Sequence, residues 1–114
     1  MAVSPSFRAY IIEQLEGLPH ITSKGMFGGV GVYSEEFFFA LLDNDRVYFK
    51  VNDSNRPDFE AVDMGAFEPY GDGRTMQYYE VPVAVIEDSD ALKEWSRKAI
   101  EVSRMSKKGK KKKS

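Results

Sequence analysis

Histidine and paired carboxylates are the first residues to consider as chemistry-bearing groups, because they serve most often as acids, bases and metal ligands. The chain has one histidine, His20, which follows the first predicted helix, and it has no cysteine. A serine nucleophile needs a base held against it and an acid that orients the base. A single loop histidine does not provide this arrangement, and the lack of cysteine excludes disulfides, thiol catalysis and cysteine-ligated zinc.

Two pairs of aspartates, Asp43/Asp45 and Asp88/Asp90, have the spacing that opens a calcium-binding loop. Such a loop requires glycine at its sixth position and glutamate at its twelfth. Neither pair is followed by these residues. The first pair is therefore predicted to form a hairpin turn and the second to cap a helix. We predict neither a metal site nor a cofactor.

Four glycines, at positions 25, 28, 29 and 31, lie close together in a segment that is otherwise typical of a strand. They do not match a phosphate-binding loop, in which lysine and a hydroxyl residue follow the last glycine. Glycine within a strand indicates a bulge, a bend or the close approach of another backbone. Two interpretations remain open: a coiled or bulged strand, and a flat surface against which a partner packs.

The end of the sequence carries a dense run of lysines, which repel one another and are typical of a disordered segment. The run comprises Lys107, Lys108, Lys110, Lys111, Lys112 and Lys113. We predict a disordered polybasic tail over residues 104–114 and a globular domain over residues 1–103. The tail is expected either to act as a solubilising segment or to contact nucleic acid nonspecifically, with salt-dependent affinity. No acyl site or apolar anchor favours a membrane partner.

The net charge of −2 conceals a strong separation of charge along the chain. Residues 1–103 contain all 18 acidic residues and nine basic ones, whereas residues 104–114 contain seven basic residues and no acidic ones. The two parts therefore carry −9 and +7. A separation of this kind is typical of a basic tail that meets a polyanion.

The pattern of apolar residues predicts an α+β fold with the order α-β-β-β-α-β-β-α. The strands form a five-stranded, mainly antiparallel sheet with the helices packed on one face, giving two layers. The predicted strands cover residues 24–33, 37–42, 46–51, 67–70 and 75–81. The second is apolar on both faces, which indicates a central position in the sheet.

The helices are predicted from their caps and from apolar residues at helical spacing. Ser4 is the expected N-cap of the first helix, with Pro5 at the first helical position. Phe59 and Val62 are expected on the apolar side of a short second helix. The last helix carries an apolar stripe made of Leu92, Trp95, Ala99 and Val102.

The remaining sequence features indicate a soluble cytoplasmic protein. The first residues have no basic segment followed by a long apolar run, so we expect no secretory signal. No stretch approaches the ~18 apolar residues of a membrane-spanning helix. At 114 residues, with 42% hydrophobic residues, one domain with one core is expected.

A set of short motifs resembles one known family. The set comprises Met26-Phe27-Gly28-Gly29, Gly31, Tyr33, Phe39-Ala40, Tyr48, Lys50-Val51, Met76, Tyr78-Tyr79, Val81-Pro82, Leu92 and Trp95. In this order and spacing the chain is similar to the N-terminal domain of the TfoX (Sxy) family, regulators of bacterial DNA-uptake competence. The resemblance covers about residues 8–103.

The resemblance implies a fold similar to secretion chaperones, which often form homodimers, and a role as a transcription co-regulator alongside the cyclic-AMP receptor protein. It implies no enzymatic activity. Full-length regulators carry a second, helical domain, and we expect this chain to be a single-domain member. The family motif marks candidate interaction or structural positions, without an established role: Met26, Phe27, Gly28, Gly29, Gly31, Tyr33, Tyr78, Tyr79 and Pro82.

Two functional hypotheses follow from these observations. The first is a non-enzymatic regulatory or adaptor domain that binds a protein partner, such as the transcription machinery, and contacts nucleic acid through its lysine tail. The second is a small chaperone-like or structural interaction module with no role in transcription. In the second hypothesis, sheet aromatics such as Tyr48 and Tyr78 are exposed and form the contact.

Overall fold

A computed structural model of the chain describes residues 3–26, 29–67 and 77–113. Within these ranges the elements form an α+β fold, as predicted, and their order matches the prediction roughly, with four strands in place of three before α2. They are α1 (Pro5–Gln14), β1 (Ile21–Met26), β2 (Gly29–Ser34), β3 (Phe37–Asp43), β4 (Arg46–Lys50), α2 (Arg56–Glu60), β5 (Tyr78–Glu80), α3 (Val83–Ile86) and α4 (Ser89–Lys113).

The five strands form one antiparallel sheet in the order β1-β2-β3-β4-β5, so each strand pairs with its neighbours in sequence. β3 lies at the centre, as its apolar sequence predicted. The turn between β3 and β4 consists of Asn44 and Asp45, whose φ angles are +53° and +56°. Two consecutive residues with positive φ are typical of the tight turns that match the twist of a hairpin.

Alternation along the strands gives the sheet an inner face, which packs on the helices, and an outer face. The inner face supplies most of the main core, because its strand residues are almost fully buried. They are Val30, Val32, Phe39, Ala40, Leu42, Val47 and Phe49. This arrangement confirms the prediction of a sheet with helices on one face.

A bulge in β3 strengthens the core at its centre. The register between β2 and β3 shifts between Val32 and Tyr33, so β3 has one residue more than β2 at this point. As a result Phe39 and Ala40, although adjacent, are both buried in the main core. The ring of Phe39 lies 5.8 Å from the ring of Phe49.

The helices cover the inner face with the residues that their spacing predicted. Leu92 and Ala99 of α4 are fully buried, and Trp95 packs edge-on against Phe59 of α2 at 4.8 Å between ring centroids. Phe59 is also fully buried, whereas Val62, which we expected beside it, lies beyond the end of α2 and is 48% exposed. The prediction for Val62 was therefore wrong.

The start of α1 confirms its predicted cap. The Ser4 hydroxyl accepts a hydrogen bond from the N–H of Phe7 at 3.2 Å, and Pro5 occupies the first helical position. The Ser4 N–H in turn donates to the Asp45 carboxylate at 2.9 Å. This bond ties the beginning of the helix to the β3–β4 turn.

The first predicted strand, over residues 24–33, is in fact parts of two strands. The chain reverses between Met26 and Gly29, and β1 pairs with β2 over six residue pairs. Residues 27 and 28 lie outside the described residues. The run of glycines therefore marks a reversal of direction, not one long coiled or bulged strand.

The second predicted hairpin lies largely outside the described residues, which omit 68–76. On its two sides, the Phe67 N–H donates to the Tyr78 carbonyl at 2.7 Å and the Glu80 N–H donates to the Gly65 carbonyl at 3.1 Å. Residues 65–67 thus run antiparallel beside β5. The turn itself stays a prediction.

The prediction of a disordered tail over residues 104–114 differs from the structure, in which α4 continues as a helix to Lys113. Lysine is a good helix former, and positive charge near a helix C-terminus interacts favourably with the helix dipole. These two effects offset the repulsion on which we based the prediction. Among the described side chains of α4, the last buried ones are those of Val102 and Ser103, and the helix continues about 15 Å past Ser103 at 1.5 Å per residue.

Candidate functional site

The family motif begins at the reversal between β1 and β2. Met26 ends β1 and pairs with Gly29, the first residue of β2. Phe27 and Gly28 lie outside the described residues, as does the side chain of Met26. The described motif residues Met26 and Gly29 therefore lie at the end of β1, the edge strand, and at the start of β2.

Gly29 is required by the packing of two strands. A Cβ atom on Gly29 would fall far inside contact distance of the backbone carbonyl oxygen of Leu42 in β3. Gly31, two residues later, is buried on the outer face, between Lys24 and Leu41. The absence of a side chain at Gly29 thus allows β2 to approach β3, which is a structural role.

The outer face of the sheet carries a second apolar group, which we call the outer aromatic cluster. Its members are Tyr33, Phe38, Tyr48, Phe67 and Tyr78. Ring centroids lie 5.1 Å apart for Tyr33 and Phe38, 5.7 Å for Phe38 and Tyr78, and 4.6 Å for Tyr48 and Phe67. Separations of this size are favourable for aromatic pairs.

The members of the cluster differ in exposure, which corrects one prediction. Tyr78 is only 5% exposed and Phe67 only 7%, whereas Tyr33, Phe38 and Tyr48 are half-buried. We expected both Tyr48 and Tyr78 to be exposed and available to a partner. Of these two tyrosines, only Tyr48 exposes part of its ring to solvent, because Tyr78 is buried against Phe38.

Burial also changes the acidity of the two tyrosines. Burial raises the pKa of Tyr78 to about 12, with a smaller contribution from Tyr33. Burial likewise raises the pKa of Tyr48, and the Glu80 carboxylate adds to this effect. Both phenols therefore ionise at a higher pH than an unperturbed tyrosine.

A polar cleft of about 430 Å³ adjoins the cluster at the end of the β3–β4 hairpin. Its walls carry the Tyr48 and Phe67 rings together with an ion pair between Arg46 and Glu80, 3.4 Å apart. Asp43 adds a second carboxylate at the same rim. The cleft can therefore accept a hydrogen-bonding side chain of a partner beside an aromatic wall.

The remaining described motif residues are Tyr79 and Pro82. Tyr79 points to the inner face and packs against Phe59 at 5.9 Å between ring centroids. Pro82 precedes α3 in an extended conformation, at φ −62° and ψ 146°. Tyr78 and Tyr79 thus lie on opposite faces of the sheet. The described motif residues therefore do not line one common pocket.

The predicted lysine site forms the C-terminal part of α4. Lys107, Lys108, Lys110, Lys111, Lys112 and Lys113 all belong to this helix, although their side chains lie outside the described residues. Arg104, one turn earlier, is held by Glu101 through N–O distances of 2.8–3.1 Å. Glu101 is the last acidic residue of the sequence, so positive charge is not balanced locally beyond this point.

Sequence reasoning missed Phe38, Phe67 and Lys24 as parts of the outer surface. The Lys24 ammonium lies 5.5 Å from the ring centroid of Tyr33, within the range of a cation–π contact. The alternation of side chains along a strand would have placed Phe38 and Lys24 on the outer face. It could be applied only after the strand predicted over residues 24–33 had been divided into β1 and β2.

Metal-binding clusters and membrane-spanning helices are both absent from the described residues. No group of three or more histidine, aspartate or glutamate side chains lies close enough together there to hold a metal ion. No helix in the same residues is both long and apolar enough to cross a membrane. His20 lies exposed in the turn before β1, with φ +29°.

Comparison with known families agrees with the motif positions. The model of the TfoX N-terminal domain matches residues 13–103, which is most of the chain. This chain belongs to the TfoX N-terminal domain family. The match extends from the end of α1 to Ser103 of α4 and includes most of the packed core, although the buried Ile11 of α1 lies before it. A sequence search of curated proteins found no match.

Proposed function

We propose that this TfoX N-terminal domain is a non-enzymatic regulatory or adaptor domain that contacts nucleic acid through the lysines of α4. Family membership is the observation that carries the proposal, since the family is consistent with a competence-related regulatory domain and is not a known enzyme family. The proposed setting is the cytoplasm, where a transcription regulator meets its partners.

The charge separation supports the nucleic-acid part of the proposal. Six lysines lie within residues 107–113, and α4 carries them beyond the acidic body. A lysine that neutralises a phosphate releases a condensed counterion, which favours binding without reading sequence. Binding through this segment is therefore expected to be nonspecific and to be guided to a particular gene by a protein partner.

The acidic body supports the adaptor part of the proposal. A body with charge −9 repels the phosphate backbone, so it is suited to face a protein while the lysine segment faces nucleic acid. The partner is expected to belong to the transcription machinery. A homodimer would double the number of lysine segments and strengthen nonspecific binding.

The proposal is tested by binding of a fluorescein-labelled duplex of 20 base pairs, followed by fluorescence polarisation at low salt. The full chain is compared with a chain ending at Ser106, which keeps the last buried residues, Val102 and Ser103. We expect the full chain to bind and the shortened chain to lose at least tenfold in affinity. Equal binding by both chains, or no binding by either, would contradict the nucleic-acid role.

A second candidate function is a protein-interaction module without a role in transcription, and the outer aromatic cluster favours it. Half-buried aromatic rings beside a polar cleft are typical of protein contact surfaces. Under this hypothesis, changing Tyr48 to Ser weakens association with a partner captured from the native cell extract while the domain stays folded. Unchanged association would argue against it.

A further inference from the structure

One edge of the sheet, along β1, has unpaired backbone groups. The Glu35 N–H donates to the His20 carbonyl at 2.9 Å, and this bond sets the alternation of the β1–β2 ladder. Thr22 and Lys24 therefore direct their N–H and C=O groups to β2, whereas Ile21, Ser23 and Gly25 direct theirs outward. Among the described residues, these outward groups have no backbone partner.

The β1 edge also lacks most of the features that usually prevent strand addition. Natural edge strands are protected by proline, bulges, short length or charged side chains, lysine especially. β1 has six residues, contains no proline, keeps an unbroken register with β2 and bears one charge, Lys24. It is therefore open to an additional strand.

An apolar groove lies beside this edge on the inner face. Its volume is about 730 Å³, and it runs between α1 and the sheet. Its lining combines five apolar residues with three charged ones: Val3, Pro5, Ala9, Ile12 and Val30 with Arg8, Glu13 and Glu16. Val30 pairs with Gly25, so the missing side chain at Gly25 leaves the groove open toward the edge.

Two basic side chains flank the same edge, one on each face of the sheet. On the inner face, Arg8 donates to the Ser23 hydroxyl from Nε at 3.1 Å and from Nη2 at 2.8 Å. On the outer face, Lys24 lies over the Tyr33 ring. Within the described residues neither of them has a carboxylate partner.

Most other described cations of the acidic body are bonded to acceptors on the protein itself, and Lys93 donates to the Glu16 carbonyl oxygen at 3.2 Å. Four of them form ion pairs, namely Arg46 with Glu80, Arg56 with Asp53, Arg97 with Glu94 and Lys98 with Asp58. At the β1 edge, the Arg8 guanidinium and the Lys24 ammonium are therefore available to an acidic ligand, although the body as a whole is negatively charged.

We propose that β1 binds an extended segment of a partner protein, with acidic and apolar side chains, as an additional antiparallel strand. This inference rests on the adaptor part of the proposed function and names the class of partner. Strand addition uses the outward backbone groups for affinity and alternate side chains for specificity. A second copy of this chain fits less well, because β1 pairing about Ser23 would bring two Arg8 guanidinium groups together.

The register defines the side chains of the bound segment. The residue opposite Gly25 lies on the inner face and fills the groove above Val30, so it is apolar. The residues opposite Lys24 and Ser23 are acidic, since they meet the Lys24 ammonium and the Arg8 guanidinium. The pattern for a segment running from Met26 to Ile21 is therefore polar, apolar, acidic, acidic, polar, apolar.

The test uses the capped hexapeptide Thr-Val-Glu-Glu-Thr-Val as the probe. It is titrated to millimolar concentration into the ¹⁵N-labelled full chain, without nucleic acid, and amide shifts are followed by NMR. We expect saturable shifts that are largest for the amides of Ile21, Ser23 and Gly25. The lysine analogue Thr-Val-Lys-Lys-Thr-Val should bind at least roughly tenfold more weakly, because two favourable cross-strand charge pairs become repulsive.

Matched controls separate strand addition from nonspecific attraction. N-methylation of the second glutamate, opposite Ser23, should abolish binding, whereas N-methylation of the first, whose N–H points away from β1, should not. Lys24→Glu should reduce the preference for the acidic peptide over its lysine analogue at least fivefold. Arg97→Gln, on the exposed side of α4, should leave this preference unchanged.

Three results would overturn the proposal. They are unshifted β1 amides at millimolar peptide, equal loss of binding from either N-methyl group, and equal affinity for the two peptides. Concentration-dependent shifts of the same amides without peptide would assign the edge to a second copy instead. Each result is distinguishable from failure of the nucleic-acid role, because the duplex experiment tests the lysine segment alone.

Discussion

Tyr78 and Tyr79 are adjacent in the family motif, yet they belong to different layers of the molecule. Strand alternation sends Tyr78 to the outer face beneath Phe38 and Tyr79 to the inner face against Phe59. Both rings therefore stabilise packing, on opposite sides of β5. Their occurrence as a pair in the motif is explained by a strand that is covered on both faces.

The buried phenol of Tyr78 predicts a specific dependence of stability on pH. Its pKa is about 12 in the folded protein, whereas an unperturbed tyrosine has a pKa of about 10. Ionisation above pH 10 therefore favours the unfolded chain, and this contribution to stability is lost as the pH rises from 10 to 12. Urea unfolding at pH 9 and pH 11 should show a larger loss of stability for the native chain than for Tyr78→Phe.

The comparison has a matched control and a clear contrary result. Tyr10→Phe removes a phenol from the exposed side of α1 and controls for loss of a hydroxyl as such. Identical losses between pH 9 and pH 11 in the native chain and in Tyr78→Phe would mean that Tyr78 is not buried as described.

At the scale of elements, the packing of β2 beside β3 depends on the glycine that opens β2. Gly29→Ala places a Cβ against the Leu42 carbonyl oxygen and forces β2 and β3 apart. We expect a loss of about 1–3 kcal/mol in the free energy of unfolding, as for other overpacked sites. Urea denaturation measures this loss directly.

Gly65→Ala is the matched control, because a Cβ there meets nothing within 4 Å and the φ angle is not in the left-handed region. Its stability should remain within about 0.5 kcal/mol of the native value, as for most surface substitutions. If the two substitutions had equal effects, the close approach of β2 to Leu42 would be contradicted.

The strands show what the sequence could and could not predict. β3 and β4 were recognisable because Asp43-Asn44-Asp45 separates two runs with clear apolar patterning, and the structure confirms this hairpin. The division between β1 and β2 was missed because the same glycines that allow a reversal are also compatible with a bent strand. Nor does the sequence reveal the bulge that buries Phe39 and Ala40 together, since it depends on the register with β2.

The candidate interaction surfaces, like the strands, could be predicted from the sequence only in part. The lysine segment was visible from composition alone, but its helical state was not, because charge repulsion and helix propensity oppose each other in it. The β1 edge could not be predicted, because it requires knowledge of which backbone groups point outward. A binding surface that consists of backbone N–H and C=O groups is hard to recognise from the sequence, because nearly all residue types carry these groups.

At the scale of the whole molecule, the central feature is an acidic body joined by one helix to a cluster of lysines. α4 packs across the sheet and then extends past Val102 and Ser103. The same helix therefore belongs to both the TfoX core and the proposed nucleic-acid contact. Because α4 is continuous, the position of the lysine segment relative to the acidic body is set by the helix.

The salt dependence of duplex binding tests this account most directly. Each phosphate neutralised contributes about −0.9 to the slope of log K against log salt concentration, so six lysines give a slope of about −5 at most. We predict a slope steeper than about −3 for the native chain and close to zero for a variant with glutamine at all six lysine positions. An unchanged slope in the glutamine variant would place the contact on the body and contradict the proposed role of the lysine segment.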